Sequence, residues 1–470
     1  MHAREHIHLI GIGGTGMSAL AGLLHDRGCR VTGSDRALYP PTSEILASMG
    51  LTVHESFAAE HLVPAPDLVV IGNAVRRGNP EAEEVLDRGL EYQSMPQVLS
   101  RRFLRDRHSV VVAGTHGKTT TASMLAWVLR RAGRDPGFLI GGLPVDLERP
   151  YHVGGGPAFV VEGDEYDTAF FDKGPKFMHY RPDTALLGTV EFDHADIFRD
   201  LDEVKRAFRW FTNLVPRRGL LIRHEDCATT REVSSAALSR VEGYGLDSGV
   251  WRAERLEERG SGTSFQWLRD GTDLGEVRLA ITGEHNVRNA LAVAAAAHEQ
   301  GLAPADIVAG LSTFRGVRRR LEIRGEVGGV TVLDDFAHHP TAISETLRAV
   351  RRRFPGRRVW AVFEPRSGSM RRNVFQDTLP EAFAAADEVV LARVFGADEI
   401  GEAARLDPER LVRDIARRGT PARFLDDVET IVAWVAEHAL PGDVVVVMSN
   451  GGFGGLHGML LEALSSRVGR

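Results

Sequence analysis

The 470-residue chain reads as an α/β protein of three domains, each built on a parallel sheet with helices on both faces. Three observations predict this. Apolar β-branched runs such as Val110-Val-Val112, Val359-Trp-Ala-Val-Phe363 and Val444-Val-Val-Val447 alternate with helix-period stretches along the chain. Two glycine turns each sit between such a run and a helix, one starting at Gly11 and one at Gly114. A chain this long exceeds what one hydrophobic core supports, and charge-dense stretches at Arg101–His108 and Gly316–Glu322 divide it into 1–106, 107–322 and 323–470.

Composition narrows the class. Hydrophobic residues make up 43% and charged residues 26%, as in ordinary soluble proteins. A net charge of −7 argues against a nucleic-acid binder that works through bulk charge. Cys29 and Cys227 cannot build a disulfide framework, which points to a reducing compartment. No apolar stretch reaches the ~18–20 residues of a membrane span. The first residues, Met1 to His6, run directly into a strand with no signal-peptide pattern, so a cytoplasmic location away from membranes is expected. Composition places no constraint on whether the chain is a monomer or a dimer.

The first segment opens with a strand, then Gly11-Ile-Gly13-Gly14-Thr15-Gly16-Met17, then a helix. Asp35 follows about twenty residues on, after a strand ending at Ser34, in the pattern of a dinucleotide fingerprint. The glycines allow close approach to a diphosphate, and the carboxylate suits a ribose hydroxyl. The same geometry serves a UDP-sugar or NAD, so a dehydrogenase remains an alternative here. Asn73 ends the strand after Asp67, where an open α/β sheet places ligand contacts.

The second segment starts with Val110-Val-Val-Ala-Gly114-Thr115-His116-Gly117-Lys118-Thr119-Thr120-Thr121. A strand, a tight glycine turn, Lys-Thr and a helix together cradle a nucleoside triphosphate. Backbone N–H groups and the helix N-terminus face the phosphates, Lys118 reaches the β and γ phosphates, and the Thr119 hydroxyl ligates Mg²⁺. The strict P-loop spacing would place another glycine at Val112, so this loop is a shorter variant. Lys118 is one of four lysines, with Lys173, Lys176 and Lys205.

Two further strands end in acidic clusters, Glu162-Gly-Asp-Glu-Tyr-Asp167 and Glu191-Phe-Asp-His194-Ala-Asp196. Beside a phosphate loop they suit Mg²⁺, which takes few protein ligands and shares substrate phosphates. Asn286 and Asn289 lie three apart on one helix face, and amides match the mixed donor and acceptor edge of adenine. The third segment resumes with Val330-Thr-Val-Leu-Asp-Asp335, a helix from Pro340, and Glu364-Pro-Arg366-Ser-Gly-Ser-Met-Arg371-Arg372.

Four motifs in order, Gly11-Ile-Gly-Gly-Thr-Gly-Met17, Gly114-Thr-His-Gly-Lys-Thr-Thr120, Gly283-Glu-His-Asn-Val-Arg-Asn289 and Asp334-Asp-Phe-Ala-His-His-Pro340, resemble the Mur ligase family over nearly the whole chain. The resemblance implies a Rossmann-like UDP-sugar domain, a central P-loop-like ATP domain and a C-terminal Rossmann-like domain for the amino substrate. Within the family, Glu162–Lys173, Glu191–Phe198 and Phe363-Glu-Pro-Arg-Ser367 look most like the branch that joins UDP-N-acetylmuramate to the murein tripeptide L-alanyl-γ-D-glutamyl-meso-diaminopimelate in peptidoglycan recycling. The L-alanine-adding branch is the alternative.

The family's chemistry uses ATP to turn a carboxylate into an acyl phosphate, which an amine then displaces. Carried over onto this sequence, Lys118, Glu162, His194 and Arg320 are catalytic. Thr119, Glu162 and His194 hold Mg²⁺, and Arg319 or Arg320 reaches the γ-phosphate when the domains close. Asp335 anchors the nucleotide, and His338, Arg366, Arg371 and Arg372 face the peptide. An arginine cluster fits the several carboxylates of a tripeptide better than the one of alanine. Some members carry a carbamylated lysine beyond the His194 motif; the spacing of Lys205 does not match it.

Overall fold

The computed structural model describes residues 4–36, 38, 42–260 and 262–468. Met1 to Ala3, part of the N-terminal expectation, lie outside the described residues. Three large sheets follow one another along the chain. The first is five-stranded and parallel, in the order Thr52–His54, Arg30–Ser34, His6–Ile10, Leu68–Ile71, Tyr92–Ser94. Its central strand is buried along its whole length, as two-sided coverage by helices demands.

The second sheet has ten strands. Its core runs parallel through Leu220–His224, Thr184–Leu187, His108–Ala113, Ala158–Gly163 and Gly137–Leu139. At one end Trp251–Arg259, Gly262–Arg269 and Thr272–Leu279 form an antiparallel meander, and at the other Tyr151–His152 pairs antiparallel. The expectation of uniformly parallel sheets therefore holds for the sheet core and not for these flanks. The meander alternates polar and apolar residues because one face stays solvated, and Trp251 and Trp267 stack on its inner face.

The third sheet orders Glu322–Val327, Val330–Asp335, Val444–Met448, Val359–Phe363, Glu388–Ala392, Ala422–Leu425, parallel except for its first strand. Separate apolar clusters cover its two faces.

The first two units share one apolar cluster, in which Leu9, Leu20 and Leu24 join Val111, Tyr151 and Phe159. A hairpin of the middle unit, Asp167–Ala169 with Asp172–Pro175, also reaches across, and Phe171 meets the Tyr92 ring edge-on at 5.0 Å. The junction of the third unit is more polar: Arg288 pairs with Glu345 at 2.8 Å, and Arg352 with Glu284 at 2.7 Å. Among the described residues, no helix is long and apolar enough to cross a membrane.

Beneath the first glycine turn lies a buried carboxylate. Glu81 accepts hydrogen bonds from the Ser34 hydroxyl and the Ala58 amide and pairs with His61 at 2.7 Å and His8 at 3.4 Å. The Ser34 carbonyl in turn accepts the Gly11 and Ile12 amides, so Glu81 props the turn from below. Burial pushes the Glu81 carboxyl up, but hydrogen bonds from His8, Ser34 and His61 outweigh it and hold it below its ordinary 4.5. A carboxyl depressed in the fold stabilises above its unfolded value and loses that contribution as pH falls through the folded one. Glu81→Gln should therefore cost about 1–3 kcal/mol near neutrality. In urea titrations its deficit against wild type should shrink as pH drops below 4.5; a deficit that does not change with pH would contradict the ionised pairing.

Candidate active site

One cavity of about 1230 Å³ is lined by all three units. From the first it takes Gly11, Gly14, Thr15, Gly16, Met17 and Asp35, with Asn73 at the end of the next strand. Gly13 lies just behind, its amide donating to Asp35 Oδ2 at 2.8 Å, and Ser34 is fully buried below. Asn73 has a second tie: its Nδ2 donates to the Asp167 carbonyl of the middle unit at 2.9 Å, so part of its capacity is spent on the domain contact.

The second glycine turn forms the middle of the cavity. The helix begins at Lys118 and runs to Arg131. Gly117 caps it at φ 78°, a left-handed conformation that favours glycine, and any Cβ there would lie 2.8 Å from Asn289 Oδ1. Asn289 thus rests directly on the phosphate loop. Asn286, one turn earlier, accepts from Asn289 at 3.3 Å and donates to the Thr282 carbonyl. Both line the cavity with Thr115, His116, Thr119 and Thr120; Gly114 lies outside its lining, its carbonyl accepting from Lys118.

Lys118 Nζ donates at 2.8 Å to Gly114 O and at 2.8 Å to Glu165 Oε2. The other oxygen of Glu165 faces His194 Nε2 at 3.5 Å. Burial pushes the ammonium down, but Glu165 and Asp164 more than compensate, so Lys118 is held charged. Burial likewise pushes Glu165 up, and Lys118 and His194 hold it down. Lys176 treats Asp164 the same way at 3.0 Å, lying 4.2 Å over the Tyr166 ring.

Of the three carboxylates on this strand end, Glu162 is the one with no lysine or histidine in contact among the described residues. It accepts from Thr119 Oγ1 at 2.9 Å and from the Gly141 amide, and burial followed by the neighbouring Asp164 charge raises its carboxyl. An anionic oxygen beside a threonine hydroxyl, short of positive charge, suits a hard divalent cation.

Glu191 closes the far side. Its Oε2 accepts from His116 at 2.8 Å and from Thr341 Oγ1 of the third unit at 2.7 Å, and His339 Nδ1 stands 3.5 Å away. His116, Glu191 and His339 form a group of metal-capable atoms within 4.8 Å of one another. The carboxylate already has donors, so this group acts as a hydrogen-bond junction between phosphate loop and third unit. His338, pushed down to about 4 by burial, lines the cavity as a neutral imidazole.

The two candidate arginines separate. Arg320 lines the cavity beside Asp335. Arg319 turns away: it donates to the Ser449 and Gly451 carbonyls and pairs with Asp334 at 3.4 Å. Asp335 also lines the cavity, but its oxygens already accept from the Leu321 and Ala337 amides and Thr346. The expected arginine cluster is split and lines none of the cavity. Arg366 stacks 3.6 Å from the Phe395 ring centroid, and Arg371 binds Glu399 at 2.6 Å. Arg372 lies next to Arg371 on the same turn. Lys205 is on the surface, paired with Glu232 at 2.9 Å.

Glu165, Lys176, Glu191 and His339 were absent from the residues singled out as site candidates. The two glutamates and His339 sit inside motifs quoted above, but ranking acidic neighbours needs the fold.

Comparison with known proteins agrees with this geometry. Residues 6–107 match the Mur ligase family catalytic domain, 112–297 the Mur ligase middle domain, and 319–451 the Mur ligase glutamate ligase domain. The chain is 44% identical over 467 residues to the UDP-N-acetylmuramate–L-alanyl-γ-D-glutamyl-meso-2,6-diaminoheptandioate ligase of Escherichia coli K12, covering 98% of this chain and 99% of that one. It is 38% identical to the UDP-N-acetylmuramate–L-alanine ligase of Salinibacter ruber, covering 95% and 92%. The crystal structure of a murein peptide ligase from Psychrobacter arcticus superposes with a TM-score of 0.75 at 38% identity, covering 98% and 99%. With every segment that builds the cavity matched, the chain belongs to the Mur ligase family.

Proposed function

We propose that this chain is an ATP-dependent amide ligase that joins UDP-N-acetylmuramate to L-alanyl-γ-D-glutamyl-meso-diaminopimelate, releasing ADP and phosphate in the cytoplasm. The observation that carries the reading is the single cavity in which both glycine turns and the third unit meet. Three substrates have to converge for this reaction, and three units line one space. The choice of tripeptide over L-alanine draws on the resemblance to the E. coli ligase at 44% identity, against 38% for the alanine ligase. We keep 1–106, 107–322 and 323–470 as the corresponding domains, for the UDP-sugar, ATP and peptide.

In this reading the first turn, Gly11 to Met17 with Asp35, takes the UDP moiety. The second, Gly114 to Thr120, wraps the triphosphate, with Asn286 and Asn289 toward the adenosine. The sugar's carboxylate oxygen attacks the γ-phosphorus; the bond to the β–γ bridging oxygen breaks and ADP leaves. The peptide amine then attacks the acyl carbon, loses a proton, and phosphate departs. Such transfers need positioning and charge neutralisation more than covalent help. Lys118, held ionised, supplies fixed positive charge at the phosphates, and Arg320 adds a guanidinium from the domain boundary. Thr119 and Glu162 would hold Mg²⁺ and His194 a second ion, a cation there supplying further neutralisation of phosphate charge. His338 faces the incoming peptide.

Phosphate release from ATP and UDP-N-acetylmuramate should depend on the tripeptide and be far slower with L-alanine; equal rates would assign the chain to alanine addition. Lys118→Ala should lower kcat by about 10²–10³-fold or more while UDP-sugar binding, followed calorimetrically, stays close to wild type. The arginine pair should separate by phenotype. Arg320→Ala should lose turnover at unchanged melting temperature, whereas Arg319→Ala, which removes ties to Ser449, Gly451 and Asp334, should lower the melting temperature. The reverse pattern would exchange their roles.

A further inference from the structure

His194 sits at φ 54°, in the left-handed region that non-glycine residues enter at a cost, so neighbouring structure has to hold it there. Its own loop supplies part of that hold, the His194 carbonyl accepting the Ile197 and Phe198 amides, and another domain supplies the rest. Ser369, fully buried on the third unit, donates its hydroxyl to Asp193 Oδ1 at 2.6 Å and accepts the Ala195 amide at 3.0 Å. It therefore grips the turn on both sides of His194. Asp193 Oδ1 also accepts the His194 amide at 2.7 Å. Gly368 makes the approach possible, since a Cβ there would lie 2.2 Å from Asp196 Oδ1. Two more third-unit contacts seat the same loop: His339 Nε2 on the Phe192 carbonyl at 3.1 Å, and Thr341 on Glu191. From the loop the linkage continues into the middle unit, through Glu165 to Lys118 and through Glu191 to His116.

We propose that Ser369 is a positioning residue that holds the strained turn presenting His194, so that this middle-domain histidine is aligned only while the third domain is docked. This deepens the ligase reading above and rests on it for His194's role. The seam is largely polar, with Phe192 against Phe375 as its apolar contact, as at junctions where domains move relative to one another. Docking of the amine-bearing domain and assembly of the acyl-activating site thus become one event, which restrains hydrolysis of the activated acyl group before the amine arrives.

The test pairs Ser369→Ala with Ser369→Thr, which keeps a hydroxyl. In hydrogen–deuterium exchange on the protein without nucleotide, Ser369→Ala should speed exchange in a peptide spanning 189–198 while the third-domain sheet stays protected. Ser369→Thr should keep that protection. In turnover, Ser369→Ala should lower kcat by about 10–100-fold, the range for lost supporting hydrogen bonds, with KM for the UDP-sugar within two-fold. Unchanged exchange at 189–198, or faster exchange throughout the third domain, would overturn the proposal. The exchange arm uses no substrate, so it still decides the question if the ligase reading itself fails.

Discussion

Much of the site depends on one negative charge. Glu165 is buried between Lys118 and His194, on a strand end that also carries Glu162 and Asp164. Three carboxylates so close together would repel one another and resist ionisation in a desolvated pocket. Two of them are relieved by lysines, Glu165 by Lys118 and Asp164 by Lys176. The third is left with a threonine hydroxyl and a backbone amide. Two lysines thus leave a single cation-seeking oxygen group beside the phosphate loop. The same pairing keeps Lys118 charged in a place where burial alone would favour the neutral amine.

The domain junctions differ in kind. Units one and two are joined by a continuous apolar cluster and by a hairpin whose phenylalanines reach the first sheet. Opening that junction would expose apolar surface at roughly 25 cal/mol per Å². The third unit meets the second largely through ion pairs and hydroxyl contacts, which water can replace at much lower cost, with Phe192 packed against Phe375 as an apolar contact. In the proposed ligase reading, the weaker junction belongs to the domain that would admit the amine substrate, and the apolar one joins the proposed sugar and nucleotide sites. His194 stands on the loop that the third unit grips, facing Glu165 of the middle unit.

Local features were well legible in the sequence. Both glycine turns, the Lys-Thr helix start, Asn286 and Asn289 three apart and the third-segment strands depend on spacing and turn chemistry, which act between near neighbours. The antiparallel meander after Trp251 was not legible, because its pairing depends on hairpin register. The split between Arg319 and Arg320 was not legible either, since adjacent basic residues look alike until one finds the carbonyls of Ser449 and Gly451. Arg366, Arg371 and Arg372 read as one cluster along the chain, yet the first two side chains go to Phe395 and to Glu399.

By itself the sequence determined which chemical groups are available and the local backbone that carries them: phosphate-binding amides, one phosphate-loop lysine, acidic strand ends and an α/β frame. Periodicity and glycine placement encode these, and they need no long-range contact. Tertiary structure alone decided how charge is distributed among those groups. Whether Glu162 or Glu165 is the neutralised carboxylate depends on Lys118 folding back 47 residues away from Glu165, and the strained turn at His194 depends on Ser369, 176 residues from the Asp193 it grips. Such pairings follow from how sheets and domains dock, which the pattern of near neighbours does not carry.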